Sequence, residues 1–471
     1  MQRTKSNILS LLAVVLVALA TVMPTVSWAQ TSSLNAYSPY SMYGPGEIHT
    51  PGSVQMRSMG GVGIGLRSAS QINVLNPASA SVAMSKSFLF DVNIDATHYR
   101  NSQLKFDAAG NSLGKSRTAL NSGNIHNIGL AFPLAKNLGL MFNVSPYSSV
   151  GYRVLTTDEQ QDNWADIGRV QYLHSGEGDI TEVKLAIGWA PVRQLSIGIA
   201  ARYFWGTIER EYATQVSNVV TGSGNYASTM GVDNYIVNNF KFQAGLQWNI
   251  ILTDKRMLTF GATYDLGGLL NPRRQSVLYT DDQVNSILGG LAIKNPISKL
   301  ELRLPHQIGA GLYYVDRKFS WGVDYNYAMW GSDNSSYVEN ASSKNIVVGY
   351  TDTHTIKAGF EIVPRRGDTR NYLNRMSYRV GARLGNYYQT FCGERVNTMA
   401  ITAGLGLPIR LWGSSSVNIG FEYGRMSAPK SVDFSGTKIG LTTQNYYKIS
   451  VGFSLFSHDT SDYWFVRQKF D

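Results

Sequence analysis

The chain has 471 residues, 43% hydrophobic, 16% charged and 11% aromatic, and its 42 Lys and Arg against 32 Asp and Glu give a formal net charge of +10. Because these charges are scattered and form no basic block, they exclude a nucleic-acid-binding tail, and anionic lipid headgroups are the fitting neighbours for a basic exported chain. A lone cysteine, Cys392, excludes an internal disulfide, and the 7 histidines show no local metal-ligand spacing, so no metal and no cofactor are expected.

At the front, Arg3 and Lys5 precede an apolar run from Ile8 to Val22, and Ser27-Trp28-Ala29 supplies a small-residue cleavage site. Residues 1–29 therefore read as a secretory signal peptide, since the run falls short of the ~20 apolar residues of a spanning helix. Residues 30–55, with Tyr37, Tyr40 and Tyr43 among prolines and glycines, have no period and read as an irregular arm that starts in the periplasm. Between Met56 and Met84 small residues dominate, with Gly60, Gly61, Gly63 and Gly65 closely spaced. Such a segment lets backbone approach backbone but cannot build a core of its own. The economical reading makes 30–85 an arm and plug inside a structure that later residues supply.

From Lys86 onward a two-residue period sets in. Phe88, Phe90, Val92, Ile94 and Ala96 share one face, and Asp91, Asn93 and Asp95 share the other. Ile128, Leu130 and Phe132 turn through Asn137 into Leu138, Leu140, Phe142 and Val144; Val183 to Trp189 turn into Leu195 to Trp205; Phe240 to Trp248 turn into Leu258 to Tyr264. The later half repeats the pattern at Ile308–Tyr314 with Phe319–Tyr327, Ile356–Ile362 with Tyr378–Leu384, Met399–Leu405 with Val417–Tyr423, and Tyr447–Leu455. No apolar run here approaches a spanning helix, yet there are 27 tyrosines and 46 glycines. That profile suits an all-β membrane barrel with alternating lipid-facing and lumen-facing side chains. A soluble propeller would need blades repeating at a fixed period, and none is found. The expected architecture is a transmembrane antiparallel β-barrel of about fourteen strands over 86–456, with an N-terminal plug in the lumen and a C-terminal tail from 457 to 471. An even count is the rule for bacterial single-chain barrels.

Catalytic motifs are weak. Ala109 to Ser116 fits a relaxed phosphate-loop pattern but lies between amphipathic strands instead of opening a helix. Gly61-Val62-Gly63-Ile64-Gly65 lacks the third glycine and the surrounding βαβ unit of a dinucleotide site. Asp158, Glu159, Asp162 and Asp166 read as a solvated acidic loop. Lumen-facing Lys184, Arg202, Lys241, Asp324, Lys357, Glu361, Arg379, Arg383 and Glu422 are expected to pair with one another and with the plug, because an unpaired buried charge is costly. No enzyme is expected. Pro146 stands in the middle of the third strand, where it removes one ladder hydrogen bond and forces either a rim bulge or a gap, with Ser145 and Gly151 flanking the break. In the long loop from Gly267 to Pro305, Val284, Ile287, Leu288 and Leu291 follow helical spacing after Thr280-Asp281-Asp282, which suits loop packing or a greasy ligand.

Arg57-Ser58-Met59-Gly60-Gly61 followed by Asn76-Pro77-Ala78 resembles the entry signature of the FadL-type outer-membrane transporters of hydrophobic compounds in Gram-negative, Bacteroidota-type bacteria. Trp321 to Trp330 resembles that family's aspartate-bearing, tryptophan-ended strand. The resemblance implies a fourteen-stranded barrel whose plug includes Met59, Gly60, Gly61, Gly63, Asn76, Pro77 and Ala78. It implies a lateral opening at Ser145, Pro146 and Gly151, and capture of the ligand at Val284, Ile287, Leu288 and Leu291. The function it implies is passive uptake of hydrophobic molecules such as long-chain fatty acids, with release sideways into the membrane. Members of this barrel family also serve as shuttles or structural subunits of secretion or assembly machines, so the expected partners are membrane lipids, a hydrophobic small molecule, or an outer-membrane protein complex.

Overall fold

The structure, a computed structural model, describes residues 38–82, 88–106, 110–157, 169–217, 229–253, 255–270, 272–280, 293–299, 302–334, 339–341, 346–368, 370–409, 415–434 and 437–457. Residues 1–29, expected to be a signal peptide, the start of the arm, the acidic residues Asp158 to Asp166, the residues Val284, Ile287, Leu288 and Leu291 expected to capture a ligand, and the tail after Ser457 lie outside the described residues.

A closed 14-strand antiparallel barrel forms the wall. Its first half comprises β1 (Phe88–Phe106), β2 (Ser112–Ala135), β3 (Leu138–Thr157), β4 (Arg169–Trp189), β5 (Leu195–Ser217), β6 (Thr229–Thr253) and β7 (Arg256–Asp265). The second half comprises β8 (Gln307–Val315), β9 (Phe319–Ala328), β10 (Thr353–Ile362), β11 (Ser377–Phe391), β12 (Glu394–Ile409), β13 (Ser415–Ser427) and β14 (Thr442–Ser457). Each strand pairs with its sequence neighbour, and β14 returns to β1 from Phe88 opposite Ser457 to Gln103 opposite Thr442. The alternation drives this closure. On β4, Lys184 and Ala186 are buried while Leu185, Ile187 and Trp189 face outward, and on β1 Asp91, Asn93 and Asp95 are buried while Ile94 is 57% exposed. In water that outer face would be a liability, whereas in lipid it is the solvated surface. Short connections cluster at one end, including 136–137 and 316–318, and by the rule for such barrels that end is periplasmic. β4, β5 and β6 run on past the apolar band at the other end, where Arg273–Thr280 adds a further strand to the outer part of β6.

Inside the wall, residues 54–82 line it as a belt in the periplasmic half. A short helix, Val54–Arg57, starts where the Ser53 hydroxyl accepts the Met56 amide, and a 3-10 helix, Pro77–Val82, ends the belt. The belt sits so close to the wall that inward positions on successive strands are glycine. A methyl group added at Gly188 would lie 2.6 Å from the Ser81 nitrogen, one at Gly322 2.6 Å from Val62, and one at Gly452 2.9 Å from Val54. Methyl groups at Gly198, Gly245, Gly261, Gly359, Gly381 and Gly404 would collide with Pro77, Asn76, Ile64, Met59, Gly60 and Ser58 in turn. From β4 round to β14, the wall is thus cut back to backbone where the belt passes.

Two apolar layers result. At the periplasmic end Ile72, Val74 and Ala80 pack with Leu89, Met141, Ala186, Ala200 and Phe456. At the outer end Tyr40 packs with Val150, Phe204, Trp330, Tyr387, Tyr388 and Phe391, with Tyr43 against the cluster. The arm was expected to begin in the periplasm. That start lies outside the described residues; the described part, 38–49, lies in the outer half, because Tyr40 and Tyr43 pack their rings against Phe391, 5.5 and 6.2 Å between centroids.

Candidate functional site

The wall is interrupted between β2 and β3. β2 and β3 pair from Ala135 opposite Leu138 to Ile128 opposite Val144, and there the ladder stops. Beyond it β2 stays paired with β1 on its other edge, and β3 stays paired with β4. Pro146 is opposite Thr181 of β4, and the register slips by one residue between Pro146 and Ser148, leaving Tyr147 as a bulge. Past the bulge, residues 148–152 are all buried, so the in–out alternation is lost and the strand has moved inward.

β3 does not lose its partner there; it changes partner. Glu47 and Ile48 of the arm stand opposite Ser149 and Ser148. The His49 amide donates to the Tyr147 carbonyl at 2.9 Å, and the Ser38 amide to the Gly151 carbonyl at 2.9 Å. Gly151 in turn donates its amide to the Ser41 hydroxyl at 3.0 Å, and Ser145 donates to Asn143 at 3.2 Å. Ser145, Pro146 and Gly151 are thereby brought together on a stretch of strand that faces the arm and not β2.

Between the two apolar layers lies a cavity of about 300 Å³ with a mixed polar and apolar lining. Asn143, Ser145, Ile48 and His49 line it on the side of the break; Glu182, Lys184, Arg202 and Asp265 line one flank and Lys357, Arg383, Glu422 and Lys448 the other. The charges are mostly paired. Arg202 binds Glu182 at 2.7 Å and Asp265 at 2.5 Å, Arg383 binds Glu422 at 2.7 Å, and Arg379, outside the cavity, binds Glu361 at 3.3 Å. Lys184 donates to the Val74 carbonyl at 2.6 Å and to Gln243. Lys241 donates to the Leu269 carbonyl at 3.0 Å.

The belt is fastened by side chains that reach it from the wall. Asp324 Oδ2 accepts the amides of Gly63 at 2.7 Å and Ile64 at 2.9 Å. Arg57 makes a two-pronged bond to Asp95 at 2.5 and 2.7 Å, and His126 approaches the same carboxylate at 3.2 Å. Met59 is buried beside Tyr313. Gly60 has φ +75 and Gly61 φ +83, and a methyl on Gly60 would meet the Ala382 carbonyl at 2.6 Å. Asn76 donates to the Ile64 carbonyl at 2.9 Å and to Leu246 at 3.1 Å, and Pro77 and Ala78 seat against Gly198 and Gly188.

Sequence reasoning missed the arm's ladder with β3, the Arg57–Asp95–His126 cluster and the cut-back wall. Only the last carried a signal: Gly188, Gly198, Gly245 and Gly261 each fall on an inward position of their strand.

A family model described as BamG matches residues 11–471. No curated protein matches the sequence. Among solved structures the chain is similar to a FadL homologue from Pseudomonas aeruginosa, with 11% identity, a TM-score of 0.58, and coverage of 87% of this chain and 99% of that one. It is similar also to the CymD monoaromatic hydrocarbon channel, with 13% identity, a TM-score of 0.54, and coverage of 88% and 98%. The toluene transporter TodX of P. putida shows 15% identity, a TM-score of 0.52, and coverage of 90% and 100%. At these identities the likeness is one of fold: a closed barrel of the kind used by outer-membrane channels.

Proposed function

Because the chain belongs to the BamG family and folds like the outer-membrane hydrocarbon channels, we propose that it is an outer-membrane barrel that passes a hydrophobic compound between its lumen and the bilayer through the break between β2 and β3. The observation that carries this reading is the end of the β2–β3 ladder at Ile128 and Val144, with the cavity reaching the break at Asn143 and Ser145. Residues 54–82 act as the plug in this reading, closing the periplasmic end so that the sideways route is the shorter one. Long-chain fatty acids belong to the substrate class, and the neighbours' aromatic hydrocarbons mark its small end. Residues 1–29 act as the export signal, and Val284, Ile287, Leu288 and Leu291 as the capture face.

A second reading has its own support. The family match is to BamG and not to FadL, and ion pairs such as Arg383–Glu422 stand among the lining of the lumen cavity. Both fit a structural subunit of an outer-membrane complex. The test is a reversible lock. Continuing the β2–β3 register would bring Asn124 opposite Ser148, so cysteines at both, with Cys392→Ser, should close the wall when oxidised. The channel reading expects partition of a fluorescent fatty acid into reconstituted membranes to stop on oxidation and return on reduction. Equal partition in both states, with the disulfide formed, rejects it in favour of the structural subunit.

A further inference from the structure

The break leaves two strand edges, and the fold treats them differently. The β3 edge is taken by the arm. The β2 edge from Ser112 to Asn127 has no strand beside it among the described residues, although its opposite edge is paired with β1 throughout. Residues 112–125 are exposed or half-exposed on both faces, and among the described residues no strand of the arm pairs with them.

Depth decides what this edge demands. Ile125 is 60% exposed beside Ile94, in line with the outward apolar band, and Asn121 is opposite His98, whose ring neighbours Tyr447 at the outer aromatic girdle. Residues 121–127 thus lie at the level of the outer leaflet, and 112–120 stand above it. Hydrocarbon cannot satisfy backbone amides and carbonyls, so a lipid-exposed strand edge has to be covered by protein. Extended chain is the cover that meets every group in register.

Charge narrows the occupant. Arg100, Lys115 and Arg117 project from the outer part of the β1–β2 hairpin, and no acidic residue occurs on β2 or on β1 beyond Asp95. Lys115 and Arg117 make no ion pair among the described residues. A second copy of the same hairpin would bring basic residues to basic residues, which disfavours self-pairing.

We propose that this edge of β2, beside which no strand lies among the described residues, docks an extended segment of a partner protein, which adds to the barrel as a strand beside residues 112–127. That strand is apolar on its lipid side next to Ile125 and acidic where it passes Arg117 and Lys115. While docked it occupies the break, so partner binding and sideways passage exclude each other.

The experiment uses the full chain in lipid nanodiscs and, as probe, a synthetic twelve-residue peptide that alternates valine and serine and carries two glutamates at one end. Amide hydrogen exchange over 112–127 should slow on adding the peptide, while 128–135 stays unchanged. Lys115→Glu with Arg117→Glu, both exposed and outside the core, should weaken binding about tenfold, the size expected of two exposed ion pairs. A peptide with lysines for the glutamates should recover it. An N-methylated peptide of the same charge should fail to bind, because it cannot pair along an edge. Equal binding of the N-methylated peptide overturns the proposal. So does protection of 112–127 by phosphatidylglycerol nanodiscs alone, which would make the patch a lipid-headgroup site. Neither readout involves passage of a hydrophobic compound, so its failure leaves the channel reading standing.

Discussion

Asp324 holds the belt to the wall through one oxygen, and its removal should loosen a defined stretch of chain. The carboxylate is 1% exposed and accepts two amide hydrogens, from Gly63 and Ile64. Each bond to a charged acceptor contributes about 1.5–3 kcal/mol, so Asp324→Ala should weaken the local attachment by about 3–6 kcal/mol and leave two amides unmet. At about 1.4 kcal/mol per factor of ten, amide exchange over residues 59–66 should rise by about two to four orders of magnitude. Asp324→Asn keeps an acceptor oxygen of the same shape without the charge, and its effect should be about half as large in free energy. The assay is hydrogen exchange read by mass spectrometry on the barrel in nanodiscs, with residues 76–82, held by Asn76 and Ser81 to other strands, as the internal reference. Should the alanine variant fail to fold, the asparagine variant still tests the point. Exchange over 59–66 equal to wild type in both variants, in a barrel whose other strands keep wild-type protection, would refute the argument.

Gly60 combines φ +75 with a wall carbonyl 2.6 Å from where a methyl would stand, so Gly60→Ala should cost about 1–3 kcal/mol from backbone strain alone. Gly60→Leu with Gly61→Leu should lower the folded, heat-modifiable fraction, and wild-type yield in that variant would show the glycines to be incidental. Arg57→Met leaves Asp95 buried without its main partner and should cost about 3–5 kcal/mol, while Arg57→Met with Asp95→Leu should recover most of it, as read from urea midpoints. An additive double variant would contradict the pairing. In the periplasmic turn, the Asn374 side chain and the amides of Asn371 and Arg370 hold the Asp368 carboxyl down to about 2. Its folded value lies below the ~3.9 of an unfolded aspartate, so its contribution is present above pH ~4 and is lost as pH falls toward 2. The Asn374 side-chain amide resonance should titrate in that window, and a flat response there would count against the turn's geometry.

The wall was legible because lipid and lumen impose opposite demands on alternate residues, as at Phe90, Val92 and Ile94 against Asp91, Asn93 and Asp95. The outer parts of β4, β5 and β6 were not, since beyond the bilayer both faces meet water and the apolar alternation ends. The bulge at Pro146 follows from its missing amide, but the inward turn of β3 also requires the arm. That arm contributes only Glu47 and Ile48 as paired residues, too few to show a period. The wall glycines Gly188, Gly198 and Gly245 stand in plain sequence, but a glycine inside a strand reads as a weakness until something is known to press against it.

That pressing has a consequence for any attempt to widen the pore by truncation. Wall and belt are two plies of one laminate: where the inner ply passes, the outer one has given up its side chains. Cutting away residues 54–82 would not unblock a finished tube. It would expose a ring of side-chain-free positions from Gly188 round to Gly452, with Asp324 and Asp95 facing empty space instead of the amides and guanidinium they hold. The inner ply also precedes the outer one in the chain, so it is on hand to be wrapped as the strands close around it. A barrel assembled without it should be softer at its periplasmic end, and a belt supplied afterwards would have to be threaded into a ring that has already shut.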